Sequence, residues 1–150
     1  MRSDDFSTPE EVLLEQQGPR QPLSYQRLET VLVVEDDPDL GHALETRLGK
    51  EGWNVSVAGD GQCGIEEVER LEPDIVLLDL GLPRMNGFRV LEEIRRSPLT
   101  DRVPIVVITG RSDPELERKM ENWGVSAVFR KPVELAEVVE AVAEVLDGGA

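Results

Sequence analysis

The stretch Asp74-Ile75-Val76-Leu77-Leu78-Asp79-Leu80-Gly81-Leu82-Pro83 decides the fold of this chain. An uninterrupted apolar run ends on a carboxylate and leaves through a Gly/Pro loop. An ionised Asp at the end of a buried strand is costly unless something pairs with it or coordinates it. Similar apolar runs end near Glu35-Asp36-Asp37, at Thr109 and near Lys131. In a parallel α/β sheet the carboxyl ends of the strands converge on one crevice, where ligands bind. Together the four ends describe an acidic, metal-ready pocket with a lysine and a hydroxyl beside it.

Outward from that stretch, apolar runs alternate with amphipathic ones, the pattern of βα units around a parallel sheet. Strands are predicted at 31–34, 54–58, 75–78, 105–108 and 126–129. Helices are predicted at about 38–50, 61–72, 87–96, 113–123 and 134–146. Asp37-Pro38 suits a cap and first turn, and Asp60-Gly61 opens the second helix. Leu40, Leu44 and Leu48 share one face of the first helix; Phe88, Leu91 and Ile94 point inward from the third. Met120 and Trp123 of the fourth are core or contact residues, with partly buried packing the reading favoured for Trp123. Residues 30–147 form one domain and 148–150 a short tail. Residues 1–29 read as a flexible N-terminal extension, with Pro9, Pro19, Pro22 and Gly18 and no sustained apolar periodicity. One short helix fits there, capped by Thr8, with Pro9 in its first turn and Glu11 closing a capping box.

Composition narrows the function. The 150 residues hold 31 acidic and 16 basic side chains, a net charge of −15. Residues 1–29 carry −3 and residues 30–150 carry −12, so the charge belongs to the folded part. Such a surface disfavours direct binding to nucleic acid or anionic membranes. No run approaches the ~18 apolar residues of a membrane span, and the polar N-terminus has no signal-peptide core. A cytoplasmic protein is expected. A single cysteine, Cys63, excludes an internal disulfide and a cysteine-built zinc site, and is expected to be an inert, packed or half-buried thiol. His42 is the only histidine and is expected on a helix surface, so histidine clusters and Ser-His-Asp triads lack parts. No glycine-rich phosphate loop follows the first strand, where Glu-Asp-Asp-Pro stands instead.

The residue chemistry points one way. Glu35 and Asp36, adjacent acids after a buried strand, repel each other and lose hydration. A hard divalent cation such as Mg²⁺ relieves both costs. Asp37 is equally well read as the cap of the following helix. Asp79 is the candidate nucleophile, since a carboxylate attacks phosphorus when a cation and a donor neutralise the transferring group. Gly81 leaves the loop open, so its carbonyl could also face a metal. The Thr109 hydroxyl could donate to a phosphoryl oxygen, with Gly110 leaving room for it. Pro132 biases Lys131 toward extended backbone and so fixes where its ammonium points.

Val31-Leu32-Val33-Val34-Glu35-Asp36-Asp37-Pro38, Asp79-Leu80-Gly81-Leu82-Pro83-Arg84-Met85-Asn86-Gly87, Pro104-Ile105-Val106-Val107-Ile108-Thr109-Gly110 and Arg130-Lys131-Pro132 resemble the receiver (response-regulator) domain of two-component signalling systems. The likeness covers about residues 30–146. It implies an α/β, flavodoxin-like (βα)5 fold with strand order 2-1-3-4-5. It implies that Asp79 accepts a phosphoryl group from a sensor histidine kinase or histidine phosphotransfer protein. Asp36, Asp79 and the Gly81 carbonyl would hold Mg²⁺, with Glu35 acting through water. Lys131 would be the counter-ion of the phosphoryl group and Thr109 the hydroxyl that moves toward it. The chain departs from the family at Val128, where Tyr or Phe is usual, and at Val133, where an aromatic is frequent. Phe129 should point to the opposite face of its strand from Val128. Asn86 stands where Asp is common and is expected in a turn.

The expected function is a stand-alone receiver, no enzyme beyond its own phosphorylation and dephosphorylation, that switches binding to an unidentified downstream protein. The alternatives are a phosphorelay intermediate, which hands the group from Asp79 to a histidine phosphotransfer protein, and a degenerate receiver acting as a phosphorylation-independent interaction module. A phosphatase of small substrates would need a general acid and a substrate-covering cap; the first is not evident and the loops leave no room for the second. In the domains it resembles, the residues two after the phosphorylated Asp and two after the Thr tune water access; here these are Gly81 and Arg111, which implies a phospho-state of intermediate lifetime.

Overall fold

The computed structural model of the protein describes residues 28–82, 84–110 and 114–148. Five strands, β1 (Thr30–Val34), β2 (Asn54–Ala58), β3 (Ile75–Asp79), β4 (Ile105–Thr109) and β5 (Ala127–Arg130), alternate with five helices. These are α1 (Pro38–Gly49), α2 (Gly61–Leu71), α3 (Gly87–Arg96), α4 (Pro114–Asn122) and α5 (Leu135–Leu146). All strand pairs are parallel, in the order β2-β1-β3-β4-β5. This is the flavodoxin-like arrangement expected from the sequence.

Apart from Thr30, Asp79 and Thr109 at their ends, the central strands are apolar because both sheet faces are covered. Alternation divides their side chains between two cores. Val31, Val33, Ile75, Leu77, Val106 and Ile108 pack with Leu44 and Leu48 of α1 and with Val138 and Val142 of α5. Leu32, Val34, Val76, Leu78, Ile105 and Val107 pack with Val68, Leu91, Leu116 and Met120, which belong to α2, α3 and α4. Full burial of each such side chain stabilises the fold by about 1.5–3 kcal/mol. Asp37 and Asp60 do cap α1 and α2, accepting from the N–H groups of Asp39 and Cys63 at 3.0 and 2.8 Å. The turn residue Asn86 caps α3 in the same way, accepting from Arg89 N–H at 3.0 Å.

Two expectations change. Cys63 is exposed rather than packed, and the adjacent Asp60 charge, ahead of burial, pushes its thiol pKa up. Val90, unassigned from the sequence, is fully buried, whereas Phe88 is only partly so. Helix α2 ends on Glu72 in the left-handed region (φ 49°), a place where glycine is more usual. His42 lies exposed on α1 and Trp123 packs partly buried against the core, both as expected. The predicted helix in the N-terminal extension, Pro83, Arg111 and the Asp113 start of the fourth helix lie outside the described residues.

Candidate functional site

The same alternation decides which strand-end side chains meet. Val31 and Val33, Ile75 and Leu77, and Ala127 and Phe129 all face the α1–α5 layer. Two residues further along, that parity falls on Glu35, Asp79 and Lys131. Three groups separated by up to 96 positions in sequence therefore converge. Lys131 Nζ stands 3.1 Å from Asp79 Oδ2 and 3.3 Å from Glu35 Oε1. The opposite parity on β5 leaves Val128 exposed, while Phe129 packs into the core.

Glu35 and Asp79 are both buried, each 3% exposed, while Asp36 is exposed. Burial is the largest influence on Glu35 and raises its pKa to about 7. The Asp37 N–H, 3.1 Å from Oε2, pulls the other way, and the Asp79 carboxylate adds to the rise. Partial burial pulls the Lys131 pKa down, but its hydrogen bond to Asp79 and the charges of Asp79 and Glu35 more than reverse this. Lys131 is therefore a fixed cation between two carboxylates.

The loop after β3 shapes the other side of the pocket. Gly81 N–H donates to Asp79 Oδ1 at 2.8 Å, so the carboxylate is held from both oxygens. Gly87 opens α3 directly beneath this turn. A Cβ there would lie 2.7 Å from the Asp79 carbonyl oxygen and closer still to the Leu80 backbone, so only glycine fits. Thr109 is 1% exposed at the end of β4, and its carbonyl accepts the Lys131 N–H at 2.9 Å. Thr109 is thus linked to the lysine through the backbone, although its side chain has the opposite strand parity.

Oxygen atoms of Glu35, Asp36 and Asp79 lie within 4.8 Å of one another. Among the described residues this is the one such group of three acidic or other metal-ligating side chains. Glu35 Oε1 is buried without a hydrogen-bond partner, the nearby ammonium giving it an ion pair only. An all-oxygen donor set with an unsatisfied carboxylate atom fits a hard divalent cation.

Sequence reasoning named Glu35, Asp36, Asp79, Gly81, Thr109 and Lys131, and direct contacts join Glu35, Asp79, Gly81 and Lys131. It missed the close fit of Gly87, for which the run Met85-Asn86-Gly87 at a helix start was the available signal.

The chain belongs to the response regulator receiver domain family, whose model matches residues 31–143. It is 40% identical over 114 residues to the DNA-binding response regulator MtrA of Mycolicibacterium smegmatis, covering 74% of this chain and 49% of that protein. It is 37% identical over 122 residues to the sensory transduction protein RegX3 of the same organism, covering 81% and 52%. The chain spans about half the length of these curated relatives. Among solved structures it resembles a CheY-like receiver domain protein from Methanospirillum hungatei, with a TM-score of 0.75 and 28% identity, covering 81% of this chain and 95% of that one. Receiver domains accept phosphoryl groups in two-component signalling, and that is the functional class of this chain.

Proposed function

We propose that Asp79 accepts a phosphoryl group from the phosphohistidine of a sensor histidine kinase or histidine phosphotransfer protein, in a Mg²⁺-dependent step, and that the phosphorylated domain changes its binding to a protein partner. The observation that carries this reading is the buried Asp79 carboxylate 3.1 Å from the Lys131 ammonium, within a group of three acidic side chains. An Asp79 oxygen attacks phosphorus, the P–N bond breaks, and its electron pair returns to the imidazole nitrogen, which takes up a proton.

Asp36, Asp79 and the Gly81 carbonyl would hold the metal, with Glu35 acting through water. Mg²⁺ when bound supplies charge neutralisation to the phosphoryl oxygens. Lys131, already 3.1 Å from Asp79, faces the position the added phosphoryl group takes. It offers positive charge without the cost of reorganisation, since it is already in place. The Thr109 hydroxyl donates to a phosphoryl oxygen. Asp79 is held by Gly81 N–H and Lys131, so little orientational freedom is lost on the way to in-line attack.

The net charge of −15 supports protein partners over nucleic acid. No helix among the described residues is long and apolar enough to cross a membrane. We place the exchange in the cytoplasm, where histidine kinases use ATP. Incubation with acetyl phosphate and Mg²⁺, read by intact mass, should add one phosphoryl group to the wild type and none to Asp79→Asn. An equal adduct on both proteins would overturn the assignment. Val128, 37% exposed where the family usually has an aromatic, favours a second reading as a phosphorylation-independent interaction module. Under that reading no adduct forms.

A further inference from the structure

The basic residues are concentrated in one region. Residues 84–131 hold ten basic and seven acidic side chains, a net +3 within a chain of −15. Residues 132–150, which include α5, hold five acidic side chains and no basic one. Residues 30–83, with α1 and α2, hold thirteen acidic and three basic. The region of net positive charge comprises α3, β4, α4 and β5.

Between α3 and α4 lies a groove of about 460 Å³ lined by Asn86, Phe88, Arg89, Glu92, Lys119 and Trp123. Phe88 and Trp123 are partly buried aromatics that give it an apolar floor. Lys119 stands over the Phe88 ring at 5.6 Å from its centre and makes no ion pair among the described residues. The Glu92 carboxylate pairs with Arg96 at 3.1 Å and the Arg89 guanidinium with Glu93 at 3.3 Å, so Lys119 carries the groove's uncompensated charge. The groove therefore suits a ligand that combines apolar and acidic side chains.

The chain carries such a segment. Residues 4–15 include Phe6, Val12, Leu13 and Leu14 together with Asp4, Asp5, Glu10, Glu11 and Glu15, and no basic residue. The acidic α1, α2 and α5 surfaces repel it, and the basic region attracts it. Residues 16–27 give a tether of twelve residues before Leu28, up to about 40 Å when extended. A domain of this size has a radius of gyration of about 14 Å, so the tether reaches the groove.

We propose that the N-terminal segment around Val12-Leu13-Leu14 docks in the α3–α4 groove of its own chain, with Glu10 or Glu11 near Arg89 and Lys119. The test uses the full chain with a benzophenone side chain in place of Leu13, irradiated and mapped by peptide mass. Cross-links within one chain to α3 or α4 are expected. Lys119→Glu should lower their yield about five-fold, the upper end for an exposed ion pair. Adding Glu10→Lys and Glu11→Lys to that variant should restore the yield. Cross-links between chains, which would assign the groove to a second copy, overturn the proposal. So do cross-links only outside α3 and α4, the absence of cross-links, or a yield unchanged by Lys119→Glu.

Discussion

Lys131 has two carboxylates within 3.3 Å, and its removal affects chemistry and stability differently. In Lys131→Ala the phosphoryl oxygens lose a preorganised donor, so phosphorylation by acetyl phosphate should slow by about 100-fold or more. The same variant should bind Mg²⁺ more tightly, because the ammonium no longer offsets the acidic charge. Rapid-mixing phosphorylation and a Mg²⁺ titration followed by tryptophan emission measure the two effects. Glu35 sets a pH dependence of the metal-free fold. Its folded pKa of about 7 lies above the ordinary 4.5, so the folded state holds this proton more tightly than the unfolded chain does. Its stabilising contribution is complete below about 4.5 and is lost as pH rises through about 7. Glu35→Gln should flatten that part of the curve in metal-free buffer and raise the melting temperature at pH 8; an unchanged slope between pH 5 and 8 would contradict it. Sequence made the polar strand ends legible, because a carboxylate after an apolar run is costly wherever it lies. It could not reveal that Oε1 of Glu35 lacks a hydrogen bond, since that depends on atoms of α1 and β5.

At the scale of elements, periodicity located β2 (54–58) and α3 (87–96) with the observed ends, and the other strands to within a residue or so. It failed where long-range contacts decide. Arg95 looks like one more charged helix residue, yet its guanidinium donates to the carbonyls of Trp123 and Val103 at 2.8 Å each and reaches those of Asp101 and Gly124. It thereby ties the end of α3 to the turns flanking β4 and following α4. No local pattern marks a partner 28 residues away. Arg95→Met should cost about 2 kcal/mol by leaving partly buried carbonyls unpaired, measured by urea unfolding. Gly87→Ala should be worse for function than for the fold. The new Cβ must displace the Asp79–Leu80 backbone, costing about 1–3 kcal/mol and moving the carboxylate away from its position opposite Lys131. Phosphorylation should fall at temperatures where circular dichroism still reports a folded domain. Wild-type rates in that variant would show that the loop accommodates a methyl group without moving Asp79.

For the whole molecule, the doubly wound sheet makes the site possible. Strand order 2-1-3-4-5 sets β1 and β3 side by side and places β4 between β3 and β5. The ends of the first, third and fifth strands thus supply two acids and one lysine to a single crevice. Glu35, Asp36, Asp79 and the Lys131 ammonium come together at the strand ends, where βα alternation placed the polar residues. The charge asymmetry between the α3–α4 side and the remainder of the domain was present in the sequence but invisible until the fold grouped those residues. The central claim concerns one atom group, the Asp79 carboxylate, and the most direct measurement localises the phosphoryl group. After phosphorylation with Mg²⁺, borohydride reduction converts an aspartyl phosphate to homoserine, and peptide mass mapping identifies its position. Homoserine at position 79 alone, absent when Mg²⁺ is chelated, is the predicted result. Homoserine at Asp36 or elsewhere, or no homoserine in a folded protein under conditions that label another receiver, would contradict the account.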